Sequence, residues 1–431
     1  MELLPLHQIL YNSHQLITQP NEKFMPLIRP FAGLRPVPEY VEDVAAPPYD
    51  VLNSAEARER AAGKPMSFLH ISKAEIDLSE DIDPYDPAVY AKAAENLQKL
   101  IDDGILIRED RPKYYVYRLK MGEIVQTGLV AAASVRHYDT NRIRKHEFTR
   151  PAKENDRVAQ IEALKAQTGP VLLAYKSDDE IDGLLNQVAE GVPLYDFVAD
   201  DGIAHTFWVV EDQSVSEKLS AGFDAMEAIY IADGHHRSAS ASRVAKTIGG
   251  SDADMSHYFL SVIFPHKQMK IFDYNRVVTD LNGLSKEEFI SKVEEHFSCT
   301  KESAPVKPVK PNEFGMYMDG EWYRLNINPE LVTDDPVARL DVSLLANNLL
   351  GPILNITDPR TDPRIDFVGG IRGMEGLEKR VDSGEMVAAF SMYATSMDDL
   401  MLVADANEVM PPKSTWFEPK LADGLVSHVL E

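Results

Sequence analysis

Ten residues, Tyr230-Ile231-Ala232-Asp233-Gly234-His235-His236-Arg237-Ser238-Ala239, limit the fold of this chain more than any other stretch. The apolar run Ile229 to Ala232 reads as the end of a buried strand, broken at Asp-Gly. An Ala/Ser-rich helical segment, Ser238 to Ala245, follows. A strand that turns into a helix leaves unpaired N–H groups and the positive end of the helix dipole at the turn, which favours an anion. Gly234 allows close backbone approach, Arg237 can grip a phosphate with both arms of its fork, and His235 and His236 can donate or shuttle protons. The plain alternative is a metal-free core turn whose imidazoles cap backbone groups. Zinc held by His235, His236 and either His205 or His146 is a third alternative, but no H-x-x-E-H or H-E-x-x-H spacing supports it.

A second cluster runs from Arg142 to Arg157, with six Lys or Arg in sixteen residues. The chain as a whole carries 69 acidic against 44 basic side chains, a net charge of −25, so this basic run stands against the background and wants an anionic partner. Glu147, set among Arg144, Lys145 and Arg150, is expected to have a depressed pKa and to stay ionised, as a base or a metal-holding group would. The alternative is a solvated helix approach whose charges pair with each other, Glu154 with Arg157 at i,i+3 among them. The acidic field repels nucleic acid and anionic membranes, so neither is expected as a direct partner.

At 431 residues the chain exceeds one typical core. No apolar run reaches the roughly 18 residues of a membrane span, the first twenty residues lack a basic-then-apolar leader, and Cys299 is alone. A cytoplasmic protein is expected. Residues 1 to about 25 read as an extension with a short helix. A helix is expected over 87–103, strands at 113–119 and 124–135 joined at Met121-Gly122, and a helix from about Asn155. Further strands are expected at 171–175, 206–210, 258–264 and 386–393, a hairpin turning at Asp319-Gly320, and a helix over 398–409. The irregular alternation predicts an α+β fold rather than a regular parallel sheet. The three prolines of 303–311 read as a linker. The expected organisation is an N-terminal α+β region (1–120), a mixed-sheet core (121–302), the linker, and a smaller α+β domain (312–431).

Three loops carry polar residues on rigid backbone. Thr357-Asp358-Pro359-Arg360-Thr361-Asp362-Pro363-Arg364 repeats a four-residue unit that reads as bracing. Met410 to Lys420, with Lys413-Ser414-Thr415 before Trp416, could return to the turn and touch a phosphate or could simply pack. Tyr49 and Asp50, after Pro47-Pro48, could position a substrate amine or Mg²⁺. Walker and G-x-G-x-x-G motifs are absent, which sets aside P-loop and Rossmann readings.

Taken together, Ile28 to Phe31, Ala46 to Asp50, Lys145-His146-Glu147 with Thr149-Arg150, Gln167 to Val171, Ile231 to Arg237, Thr357 to Arg364 and Met410 to Phe417 resemble a large bacterial and archaeal family, the domain of unknown function one-zero-one-five. Within it, Asp233-Gly234-His235-His236-Arg237 resembles the phosphate-binding turn of the ParB/sulfiredoxin superfamily, whose members include partitioning nucleotide hydrolases, sulfiredoxins and free serine kinases. The resemblance implies a ParB/sulfiredoxin-like mixed-sheet core. His146-Glu147, a helix and Gly169-Pro170-Val171 stand upstream of the turn in the order of the serine kinases. Roughly sixty residues separate Pro170 from Asp233, more than in those compact kinases.

Carried over, the resemblance implies a nucleotide-dependent kinase of a small hydroxylated metabolite, free L-serine first, with ATP or ADP as donor and Mg²⁺ as cofactor. Glu147 would be the general base, with His146 and His236 beside it. Asp233, Gly234, His235 and Arg237, with Arg150 and Lys145, would hold the phosphate, and Asp233 the Mg²⁺. Tyr49 and Asp50 would meet the substrate. A nucleotide-binding switch or scaffold on the same fold, without a small-molecule acceptor, is the alternative, and a homodimer is compatible with either.

Overall fold

The computed structural model describes residues 25–431, so the short helix expected near the N-terminus lies outside the described residues. The fold is mixed α+β, as the sequence predicts. Nine strands build the larger sheet: β1 (Ile28–Arg29), β2 (Tyr115–Met121), β3 (Ile124–Ser134), β4 (Ile143–Arg144), β5 (Val171–Tyr175), β6 (Tyr195–Val198), β7 (Ala204–Val209), β8 (Ile229–Asp233) and β9 (Tyr258–Pro265). Their order is β4-β8-β5-β9-β3-β2-β7-β6, with β1 added beside β3. β5 runs parallel to β9 and β4 parallel to β8, while the other pairs are antiparallel.

β5 and β9 are buried along their whole length, the mark of a sheet covered on both faces. Their side chains alternate accordingly. Val171, Leu173, Phe259 and Ile263 pack with Ile181, Leu185, Leu219 and Phe223 of the helices Asp179–Ala189 and Gln213–Ala225. Leu172, Ala174, Leu260, Val262 and Phe264 join a core shared with the second sheet. The period of two thus assigns each residue to one of two layers.

The second sheet has six strands: β10 (Tyr274–Val278), β11 (Phe297–Glu302), β12 (Glu313–Met318), β13 (Glu321–Ile327), β14 (Ile365–Gly369) and β15 (Ala388–Ser391). Their order is β11-β13-β12-β15-β10-β14. The proline-rich run 303–311 therefore joins two strands of one sheet, and Val306 is fully buried against Tyr317, Trp322 and Ala389. Prolines there fix a tight connection rather than a spacer. The expected boundary at residue 120 falls at the end of β2, beside the β2–β3 hairpin, so both boundaries lie inside a sheet. Gly315 leaves room for this packing, because a Cβ there would overlap Ser391 Oγ and the Val306 carbonyl. Gly315→Ala is expected to lower stability by about 1–3 kcal/mol, read as a lower urea midpoint at unchanged slope.

A four-stranded sheet gathers distant parts of the chain: Gly33–Pro36, Leu106–Arg108, Ala166–Gln167 and Ser427–Val429. The helix Pro87–Asp102 packs Val89, Ala93, Leu97 and Leu100 below it. The Asp-Pro-Arg repeat is bracing: Arg360 pairs with Asp358, Arg364 with Asp362, and Arg364 also donates to the Leu354 and Asn355 carbonyls. No helix among the described residues is long and apolar enough to cross a membrane.

Candidate functional site

β8 ends at Asp233, and Gly234 takes a left-handed conformation with φ of 96° before the helix His235–Ile248 begins. A side chain at 234 would be strained by that φ, although its Cβ would meet Val171 at ordinary contact distance. The helix starts three residues earlier than expected, so His235, His236 and Arg237 form its first turn. Its buried face of Ser238, Ala239, Ser240, Ala241 and Ser242 is small, which lets the helix Pro151–Leu164 pack closely, with Ser240 Oγ bonding the Glu154 carbonyl. That second helix begins at Pro151, a residue pre-set for a first helical position.

The turn lies in a cleft of about 870 Å³, large enough for a nucleotide and a small second ligand. Tyr49, Asp50, His146, Glu147, Arg150 and the whole of Asp233 to Arg237 line it, as does the 410–422 segment. Lys145 does not. Its ammonium donates to the Tyr138 carbonyl at 2.6 Å and sits over the Tyr138 ring.

The two histidines do what the plain alternative described. His235 Nε2 accepts the His146 N–H at 3.4 Å, and His236 Nε2 accepts the Arg150 N–H at 3.0 Å. Both imidazoles therefore staple the 146–150 loop onto the helix start. Burial pushes both below the usual histidine range, and His146 down to about 4, so all three are neutral at physiological pH. A neutral His235 accepting at Nε2 carries its proton on Nδ1, which faces Glu147 Oε2 at 3.8 Å.

Arg237 is likewise committed within the protein. One arm donates to the Pro170 carbonyl and the other pairs with Asp50 at 3.2 Å. It is a brace rather than the two-armed phosphate grip the sequence suggested. Asp233 Oδ1 accepts the Gly234 N–H at 2.7 Å, and Lys420 Nζ stands 3.2 Å from Oδ2. Burial alone would raise the Asp233 carboxyl, but Lys420 and Arg237 beside it hold it well below the usual carboxylate range. A lysine thus occupies the place of a cation, and Asp233 does not fit a Mg²⁺ ligand in this arrangement. His146, Glu147 and His235 offer ligand atoms within 4.8 Å of one another. His235 nonetheless presents a proton, not a lone pair, at Nδ1, so it offers the Glu147 carboxylate a donor rather than offering a metal a ligand atom. His205 lines the same cleft but is bonded to Tyr117 Oη and stacked on Phe197, outside the His146–Glu147–His235 trio.

Glu147 departs from expectation. Its pKa is raised, first by burial and then by the Asp233 carboxylate, with Lys413 and Arg150 pulling the other way. Of the sequence neighbours that were to depress it only Arg150 acts on it: Arg144 pairs with Glu227 and Asp405, and Lys145 turns to the Tyr138 carbonyl. The expected Glu154–Arg157 pair is also absent, since Glu154 pairs with Arg243 and Arg157 with Asp156. Tyr49 has its pKa raised by burial and carries the Arg157 guanidinium 3.9 Å above its ring.

Sequence reasoning missed Lys420 as a partner of Asp233, and missed Asp423. The latter is buried behind Arg237, has Oδ1 without a hydrogen-bond partner, and is pushed up by burial to about 7. Only a fold that brings residue 420 to residue 233 reveals either. Arg150, Lys153, Arg372 and Lys413 also line the cleft, and none has a carboxylate within ion-pair distance among the described residues.

No curated protein matches the sequence. Several solved structures resemble the chain, among them the following three. A free serine kinase in complex with AMP is 14% identical, covering 69% of this chain and 92% of its own, with a TM-score of 0.35. A conserved hypothetical protein from Pyrococcus furiosus is 14% identical over 69% and 95%, with a TM-score of 0.34. SbnI with a C-terminal truncation, from Staphylococcus aureus, is 11% identical over 68% and 85%, with a TM-score of 0.38. The family model described as "Protein of unknown function (DUF1015)" matches residues 28–343, most of the chain, and the protein belongs to that family.

Proposed function

We propose that the cleft transfers a phosphoryl group from a nucleotide, ATP or ADP, to the hydroxyl of a small metabolite, with L-serine the first candidate. The observation that carries this is the meeting of a half-exposed carboxylate, Glu147, with unpaired cations and a helix start in one cleft of a strongly acidic chain. At the start of the His235–Ile248 helix the Gly234 and Arg237 N–H groups are already taken by Asp233 Oδ1 and the Gly234 carbonyl, which leaves the His235 and His236 amides to face phosphate oxygens. Arg150 and Lys153 add the charge that phosphoryl transfer needs.

In this scheme the acceptor O–H gives its proton to the Glu147 carboxylate as the oxygen attacks phosphorus. The bond from that phosphorus to the nucleotide's bridging oxygen breaks, and ADP or AMP leaves with the electron pair. His235 and His236 are positioning residues, holding the loop that carries Glu147 and Arg150. Arg237, Asp50, Asp233 and Lys420 form the charged brace beneath the turn.

The test is product formation by purified protein given ATP or ADP, with and without L-serine and a panel of other hydroxylated metabolites. Acceptor-dependent release of ADP or AMP with phosphoserine formed is the expected result. Tight nucleotide binding with no acceptor dependence across the panel overturns it in favour of a nucleotide-controlled switch.

A further inference from the structure

Across the cleft from the turn, the wall comes from the second sheet and the 410–420 segment. Arg276, on β10, is 4% exposed and has no carboxylate partner among the described residues. It donates instead to two carbonyls, those of Tyr274 and, at 3.0 Å, Lys413. A buried cation without a counter-ion is costly and calls for a reason.

Lys413 supplies one. It holds a φ of 58°, in the left-handed region. Of the eight non-glycine residues with positive φ among the described residues, five are Asn, one is Asp and Lys165 closes a helix, so Lys413 is not there because its backbone prefers it. The conformation is pinned by Arg276 on the Lys413 carbonyl, by Ser414 Oγ on Pro411 and by Thr395 Oγ1 on Ser414. The pinned backbone aims the Lys413 ammonium over the Tyr274 ring, 5.4 Å from its centre, on the cleft wall. Arg372 reaches the same wall from the turn after β14, whose Gly369 pairs with Tyr274. Strain held in place this firmly beside a cleft points to a binding role.

We propose that Lys413 and Arg372, with Arg276 buried behind them as a positioning residue, form a second anion subsite that seats a carboxylate of the acceptor. This rests on the phosphoryl-transfer reading and narrows its substrate class to hydroxylated metabolites that also bear a carboxylate. The placement of Glu147 agrees: the two cations acting on it are Arg150, on the phosphate side, and Lys413, on the facing wall. A hydroxyl that gives its proton to Glu147 and meets a phosphate at the turn leaves the rest of a short acceptor pointing to Lys413. Lys413 and Arg372 lie beyond the 28–343 region that matches the family model, whereas Arg276 lies within it.

The test compares two ligands that differ by one carboxylate, O-phosphoserine and phosphoethanolamine, by titration calorimetry on the full chain. O-phosphoserine is expected to bind about tenfold more tightly, and Lys413→Ala to bring that ratio toward one. Arg276→Met is expected to lose the same discrimination, and the double variant to lose no more than either single change. A general loosening of the fold would instead weaken both ligands together and leave their ratio intact. Equal affinities in the unaltered protein, or a ratio that survives Lys413→Ala, overturn the subsite. If the turn does not bind phosphate, O-phosphoserine affinity depends on Lys413 but not on Arg150, and Arg150→Ala shows this. Binding of neither ligand overturns both.

Discussion

Glu147→Gln is expected to lower acceptor-dependent turnover by about 10²–10⁴-fold while nucleotide still binds. Glutamine keeps the size of the side chain and an acceptor oxygen facing His235 but cannot take a proton. The pH profile gives a second reading of the same group. Because burial and Asp233 raise its pKa, Glu147 reaches its ionised form at higher pH than an ordinary glutamate. The ionised form is the base, so the rate should fall on the acid side, and should begin falling above the ordinary carboxylate range. Lys413→Ala removes a cation that holds the pKa down and should shift this limb further up. Near-normal turnover in Glu147→Gln, or an acid limb lying where free glutamate titrates, would remove Glu147 from the chemistry.

The largest expected effect on stability lies away from the cleft. Asp341 opens a short helix, and its Oδ1 accepts the Asn312 N–H at 2.9 Å while Oδ2 is buried without a partner. Burial, with Asp399 adding to it, pushes this carboxyl up to about 7. The unfolded chain titrates near the ordinary aspartate value of about 3.9. A pKa raised on folding means that the folded state holds the proton more tightly. Its contribution is present below about pH 4 and is lost as pH rises through about 7. Three units correspond to at most about 4 kcal/mol, and less where water reaches the group. Asp341→Asn keeps the acceptor for Asn312 and stays neutral. It should match the parent near pH 4 and exceed it progressively up to pH 8 in urea midpoint. Parallel stability curves for the two proteins across that range would refute the assignment.

Much of this architecture is written locally. The strand Val171–Tyr175, the hairpin at Asp319-Gly320 and the helix from Pro87 each follow from neighbours in sequence: an apolar run, a turn pair, a proline start with an apolar stripe. The turn at Gly234 is legible for the same reason, since strand, glycine and helix are contiguous. What the sequence could not convey is direction. Arg144, Lys145 and Glu147 are close in the chain, yet the first two turn to Asp405 and Tyr138, so of the cations expected around Glu147 only Arg150 acts on it, and desolvation in the cleft outweighs Arg150 and Lys413 together. Arg237 looks like an anion grip until Asp50 and Pro170 are found in its fork. Lys420 and Asp423 carry no local signal, because their meaning comes from a segment nearly two hundred residues before them.

The four-stranded sheet has a consequence for the order of events during synthesis. Its strands come from both ends of the chain, and the backbones of Ala46 and Asp423 exchange a pair of hydrogen bonds nearby. The nine-stranded sheet can assemble once residue 265 has been made, since every one of its strands precedes that point. The lysines at 413 and 420 cannot reach the cleft until well over a hundred further residues have been added, which at about 5–20 residues per second takes many seconds. For that interval Asp233 waits in a folded sheet with Arg237 but without Lys420, and with the wall opposite it missing. A nascent chain would carry the turn but only half of the chamber until the 410–420 segment had emerged to close it.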